Sequence, residues 1–199
     1  MGLLDEAVDE IAGDPELRRA WYLMILLFGA LAVAVSAAYG DIVKTYVGQV
    51  LLEELQQLKE VVEYTNSSSV PFVTLFAVIF ANNSLKDLLD YALLVTLVFP
   101  FLFLALNGAL VGFVAQYALP LHGTAVAIFY YLAPHGVIEI PAFSLVAASF
   151  VLIRRGVGFM YERAFALLAL SLLLLLVAAA VESGITPLVG SLVSHLAGG

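Results

Sequence analysis

The chain has 199 residues, of which 63% are hydrophobic and 12% are charged, and its net charge at pH 7 is -8. Soluble domains are about 45–50% apolar and about 25% charged, so this composition predicts an integral membrane protein and leaves no room for a large aqueous catalytic domain. The chain contains no cysteine, which excludes disulfides and thiolate metal sites. Its net negative charge argues against nucleic-acid binding.

The first apolar run extends from about Ala20 to Tyr39 and follows Arg18 and Arg19. An arginine pair before an apolar run can imitate an export signal. Residues 1–16 are acidic, however, and the run is longer than the ~7–15 apolar residues of a signal peptide. We therefore predict that it is a retained first transmembrane helix.

Four further apolar segments follow the first, and a helix across the hydrocarbon core of the bilayer needs about 20 residues. The second segment, which ends at Asn82 and Asn83, is short unless the helix continues past them. Together the apolar segments predict an all-α polytopic membrane protein with five transmembrane helices in a single domain, residues 1–199. The predicted spans are 20–39, 70–83, 91–116, 124–153 and 164–180.

Residues 41–64 form the one sizeable segment between spans, and they predict an amphipathic helix outside the membrane. Its apolar residues recur at spacings of four and three, opposite a glutamate- and glutamine-rich face. The helix either covers the outer ends of the spans or docks a second copy or another membrane protein. The apolar positions are Val43, Val47, Leu51, Leu55, Leu58 and Val62.

The distribution of basic residues predicts the orientation, because cytoplasmic loops are enriched in lysine and arginine. Five crossings from a cytoplasmic N-terminus place six of the eight basic residues inside and the C-terminus outside. A re-entrant 124–153 segment would leave only three inside. The inside set is Arg18, Arg19, Lys86, Arg154, Arg155 and Arg163, and the outside set is Lys44 and Lys59.

The fourth span is interrupted by Pro134, Gly136 and Pro141. Proline cannot continue a helix but suits the first turn of a new one, so the sequence predicts a helix broken near Pro134. His135 and Glu139 are four residues apart and therefore share one face of the helix that follows.

Asparagines are the other polar groups inside the predicted spans. Asn82 and Asn83 end the second span, and Asn107 lies in the third, before the small residues Gly108 and Gly112. The G-x-x-x-G spacing predicts close helix packing. Asn107 either hydrogen-bonds across that contact or lines a pocket with His135 and Glu139.

An ionisable pair within a membrane span indicates a functional site, because charges there are costly. Three roles remain open: a metal site with His135 and Glu139 as candidate ligands, an ion or proton path, and a structural polar cluster that fixes helix packing. Catalytic zinc usually takes three protein ligands, and the sequence shows no repeat typical of transporters. We predict no cofactor.

A family resemblance lies in three motifs: Phe80-Ala81-Asn82-Asn83, Asn107-Gly108 and Pro134-His135-Gly136-Val137-Ile138-Glu139. They resemble the signature of the stage II sporulation protein M family, which comprises bacterial and archaeal integral membrane proteins. The resemblance implies that Asn83, Asn107, His135 and Glu139 are the family's polar positions. It also implies membership of a membrane complex, since the sporulation member works with peptidoglycan-degrading partners during engulfment.

These observations together predict a non-enzymatic scaffold or assembly partner in the cell membrane. Its polar centre would comprise the five polar residues of the spans, and the 41–64 helix would form a homodimer or bind another membrane protein. The predicted centre is Asn82, Asn83, Asn107, His135 and Glu139.

Overall fold

The structure is a computed structural model that describes residues 2–53, 55–56, 71–118 and 136–184. The described residues are almost entirely helical and contain no β-strand. The helices are α1 (Leu3–Gly13), α2 (Pro15–Ala37), α3 (Tyr39–Ile42), α4 (Pro71–Ala92), α5 (Phe99–Ala118), α6 (Gly136–Ala148), α7 (Phe150–Arg155) and α8 (Val157–Gly184), with a short 3₁₀ turn at Leu94–Thr96.

Five helical stretches are long and apolar enough to cross a membrane, as the sequence predicts. They are Pro15–Ala37, Phe72–Ala92, Phe99–Tyr117, Gly136–Arg155 and Tyr161–Gly184. The fourth stretch, formed by α6 and α7, is the central one. In its most apolar part 67% of the residues are buried, against 11% for the stretch in α4.

The second span continues past the asparagines at which the sequence suggested its end. α4 reaches Ala92, so that Lys86, Asp87 and Asp90 lie inside the helix rather than in a loop. The third span correspondingly begins at Phe99, after a turn in which Leu97 adopts a left-handed φ of 57°. The polar residues of α4 can extend the helix because their side chains turn towards other helices, as described below.

α2 and α5 pack closely against each other through two glycines of α5. A Cβ atom placed on Gly108 would come within 2.7 Å of the Phe28 carbonyl oxygen, and one on Gly112 would come closer still to the carbonyl oxygen of Ala32. Gly112 follows Gly108 by four residues, and its neighbour Ala32 follows Phe28 by four residues as well. The two helices therefore run parallel. The G-x-x-x-G spacing thus serves a contact within one chain.

α1 and the start of α2 are joined by ion pairs to arginines at the end of α7 and in α8. Arg155 contacts both Asp14 and Glu16, and Arg163 contacts Glu10, whose side chain is only 6% exposed. Arg154 also pairs with Glu16. Asp14 additionally caps α2 by accepting hydrogen bonds from the backbone N–H groups of residues 16 and 17 at 2.9 and 3.1 Å.

The turn between α4 and α5 lies at the same end of the molecule. Leu94 packs with Ile153 and Ala164 in a small apolar cluster, and the Tyr91 hydroxyl donates to the Tyr161 carbonyl oxygen at 3.1 Å. The connections before α2, after α4 and after α7 therefore share one side. This arrangement is the one expected when the five spans alternate in direction.

The predicted amphipathic helix 41–64 is described only in its first half. α3 ends at Ile42, a turn covers 43–45, and helix resumes over 46–53 and 55–56. Residues 57–64 lie outside the described residues. In the described half, Tyr46 is 83% exposed and Val47 is 63% exposed.

Candidate functional site

Asn83 and Glu139 meet between α4 and α6. The Asn83 side-chain nitrogen donates to Glu139 Oε1 at 3.1 Å, and Asn83 is 5% exposed. The two residues are 56 positions apart in sequence, so only the packing of the second span against the fourth brings them together. An amide donor is a neutral partner, and it can stabilise a carboxylate in an apolar surrounding without forming an ion pair.

The hydrogen bond from Asn83 to Glu139 does not include the other two asparagines of the predicted centre. Asn82 points away from the helix bundle and is exposed. The Asn107 amide nitrogen donates to the Phe103 carbonyl oxygen of its own helix at 2.8 Å. That bond lies within α5 and is therefore not the cross-helix bond that the sequence suggested, while the pocket shared with His135 and Glu139 stays a prediction.

The predicted helix break is described only in part. Pro134 and His135 lie outside the described residues, and with them the pairing of His135 and Glu139. Gly136 is buried and is the first residue of α6. Helix α6 continues through Pro141 and does not break there as predicted, and the Pro141 carbonyl oxygen accepts a hydrogen bond from the Trp21 indole at 2.8 Å.

Two buried aspartates were missed by reasoning from the sequence. Asp87 is fully buried and Asp90 is 2% exposed. The Ser171 hydroxyl of α8, itself fully buried, donates to Asp87 Oδ2. The sequence does contain the pattern that predicts this polar face, because Asn83, Asp87 and Asp90 have the i, i+4, i+7 spacing of one helix face. It was overlooked because the span was ended at the asparagines.

These residues form one polar cluster that joins three helices. Asp87 lies within electrostatic range of Asp90 and Glu139, and Lys86 lies within electrostatic range of Glu139. We call the group the α4 polar cluster; its members are Asn83, Lys86, Asp87, Asp90, Glu139 and Ser171. Its chemistry is that of oxygen acceptors with one nearby ammonium group, inside helices apolar enough to span a membrane.

The cluster does not supply the ligand set typical of a divalent metal centre. Among the described residues, no three histidine, cysteine, aspartate or glutamate side chains converge closely enough to hold such an ion. His135, the histidine proposed as a ligand, lies outside the described part of the chain. The metal site with His135 and Glu139 therefore stays a prediction.

Comparison with known proteins agrees with the resemblance of the motifs. The family model described as stage II sporulation protein M matches residues 22–187. The chain belongs to the stage II sporulation protein M family. None of the curated proteins and none of the solved structures matches the chain.

Membership of the stage II sporulation protein M family identifies the chain as a multi-pass membrane protein. The matched residues begin within α2 and end just after α8, so they include the whole α4 polar cluster. The acidic partners of the ion pairs, Glu10, Asp14 and Glu16, lie before the match. The ion pairs therefore join residues that precede the matched region to arginines within it.

Proposed function

We propose that this protein is a scaffold of the cell membrane that assembles through the helical residues 46–53 and 55–56. The observation that carries the proposal is the exposure of Tyr46 and Val47, which are 83% and 63% exposed, and of Val50, which is 38% exposed. These apolar side chains follow α3, outside the spans. Large apolar side chains exposed together mark interaction sites.

A second copy of the chain is the partner that we propose for this segment. The spacing of its apolar residues continues into residues 57–64, and an amphipathic stripe of this kind is suited to pair with its own copy. The glutamates on the opposite face make the segment a poor ligand for anionic lipid headgroups. This supports a protein partner over the bilayer surface.

Cysteine cross-linking tests the dimer, and the chain is suited to it because it has no cysteine of its own. Val47→Cys should form an oxidant-dependent dimer in native membranes, since a disulfide requires Cα atoms within about 7 Å. Asp41→Cys is the matched control, because its side chain is 89% exposed at the same end of the molecule but outside the apolar stripe. We expect several-fold less dimer from this variant.

Equal cross-linking of the two variants, or a monomer in both membranes and mild detergent, would contradict the dimer. The same Val47→Cys variant reports orientation. We propose that the N-terminus is cytoplasmic, because Arg154, Arg155 and Arg163 lie at the end of the molecule that carries α1. A membrane-impermeant maleimide should then label Val47→Cys in intact cells.

Ion- or proton-coupled transport is the second candidate function. The hydrogen bond from Asn83 to Glu139 favours it, because the contact places an ionisable group between two spans, where such groups often line ion pathways. The Glu139 carboxylate would carry the ion or proton, and the neutral amide of Asn83 would orient it.

Glu139→Gln should abolish a pH-dependent ion flux in proteoliposomes, because the amide keeps the shape of the side chain but cannot ionise. Glu53→Gln removes an exposed carboxylate outside the spans and should leave the flux unchanged. Absence of flux from the unmodified protein for every ion tested would end this candidate and leave the scaffold proposal intact.

A further inference from the structure

α4 has the polarity of its faces reversed relative to a helix of a soluble protein. Among its described side chains only three are buried, and all three are polar: Asn83, Asp87 and Asp90. Three of its leucines, Leu85, Leu88 and Leu89, are exposed, and Leu85 is 58% exposed. A helix in lipid gains no hydrophobic stabilisation from burying leucine against its neighbours. The side chains that face the other helices are therefore those that need a polar partner.

The two aspartates are only partly satisfied by the protein. Oδ1 of Asp87 and Oδ1 of Asp90 are buried, and neither has a hydrogen-bond partner. Asp87 Oδ2 accepts the Ser171 hydroxyl. None of the ion pairs within the described residues includes either aspartate, since these pairs join Lys44, Arg154, Arg155 and Arg163 to other carboxylates.

Lys86 is not placed to neutralise this pair. It lies in sequence next to Asp87, but successive residues on a helix point about 100° apart, and the acidic group of the cluster that acts on Lys86 is Glu139. Two carboxyl groups are thus buried one turn apart without a basic partner. An isolated buried charge is costly unless it is paired or coordinates an ion.

We propose that Asp87, Asp90 and Ser171 form an intramembrane binding site for a small monovalent metal cation, for which sodium is the probe. Carboxylate and hydroxyl oxygens are hard donors and suit alkali and alkaline-earth ions rather than zinc or copper. A monovalent ion fits better than calcium, which takes 6–8 oxygen ligands. The described residues offer two carboxylates and one hydroxyl here, with no third acidic ligand.

A cation at this site would hold α4 against α8. Asp87 and Asp90 belong to the second span and Ser171 to the fifth, and the ion would bridge the two spans. The site would thereby make the packing of the bundle dependent on the ion. The proposed cation site does not depend on the scaffold proposal. The scaffold is tested by cross-linking at Val47, which lies on a different segment, and that cross-linking is measured separately.

Thermal unfolding of the full chain in lipid nanodiscs tests the site. The protein is titrated with sodium chloride, with choline chloride replacing it at constant ionic strength. Binding to the folded state alone lowers the unfolding equilibrium constant about 100-fold when sodium is at 100 times its dissociation constant. We expect this saturable, sodium-dependent rise of the midpoint, and equilibrium binding of radioactive sodium at about one ion per chain.

Asp87→Asn and Asp90→Asn should each remove the sodium dependence, because the amide keeps the shape of the side chain but loses its negative charge. Both variants are compared with themselves with and without sodium, so a change in basal stability does not affect the result. Asp41→Asn, at an exposed position, is the control and should keep the full effect.

Three results would overturn the site. One is equal stability of the unmodified protein in sodium, lithium, potassium and choline. Another is an undiminished sodium effect in both aspartate variants. The third is a stability that changes with pH but not with any metal cation, which would assign the carboxyl groups to protons alone.

Discussion

Replacing Gly112 with alanine should disrupt the contact between α2 and α5 and lower the stability of the protein in detergent. The added Cβ atom would lie against the Ala32 backbone carbonyl, which cannot move aside as a side chain can. Overpacking of this kind typically costs about 1–3 kcal/mol. We expect the largest effect at Gly112, and a smaller one for Gly108→Ala, where the Cβ would be 2.7 Å from the Phe28 carbonyl oxygen.

Gly29→Ala is the matched control because Gly29 lies in α2, within the same apolar stretch. No neighbouring heavy atom lies within 4 Å of a Cβ placed there. This substitution should be neutral or slightly stabilising, since glycine within a helix costs about 0.5–1 kcal/mol relative to alanine. Equal unfolding temperatures for the Gly29 and Gly112 variants would show that α2 and α5 do not pack as described.

Replacing Arg155 with alanine should weaken the attachment of the α1–α2 junction to the rest of the molecule. Asp14 would lose its charged partner while its side chain remains only 10% exposed. A buried acceptor left without its partner costs about 1–3 kcal/mol, and the 35% exposure of Arg155 places the expected loss towards the lower end. Thermal unfolding and protease sensitivity of residues 3–13 would measure it.

The same contact predicts the pH dependence of this end of the molecule. The hydrogen bond with Arg155 lowers the pKa of Asp14, against an opposing effect of burial. Because the folded-state pKa is the lower one, the stabilisation is complete above the unfolded value of about 3.9. It is lost as the pH falls through the folded pKa. Arg155→Ala should reduce this acid sensitivity along with the stability, and the backbone hydrogen bonds to Asp14 would maintain the remainder.

Lys44→Ala provides the control for both measurements. Lys44 and Asp41 form an ion pair whose side chains are 74% and 89% exposed. Exposed pairs contribute about 0–1 kcal/mol, so the variant should unfold like the unmodified protein. If Arg155→Ala also left the unfolding temperature unchanged, the ion pairs of Arg155 would contribute nothing to the fold.

The helical class, the five spans and the family were all readable from the sequence. Length and apolarity decide whether a segment can cross a bilayer, and the three polar motifs carry the family resemblance. The ends of α4 were not readable in this way. The hydropathy of the segment falls at Asn82 and Asn83. A polar residue lowers the mean hydropathy of a segment equally whether its side chain faces another helix or water.

By itself, the sequence determined which segments can enter the membrane. Only the tertiary structure decided which faces meet. Periodicity places Asn83, Asp87 and Asp90 on one face, but Glu139 and Ser171 reach that face through the packing of separate helices. Glu10 of α1 and Asp14 at the start of α2 likewise contact Arg163 and Arg155 because the spans alternate in direction. A contact between residues far apart in sequence depends on the arrangement of whole helices, and a local pattern carries no information about it.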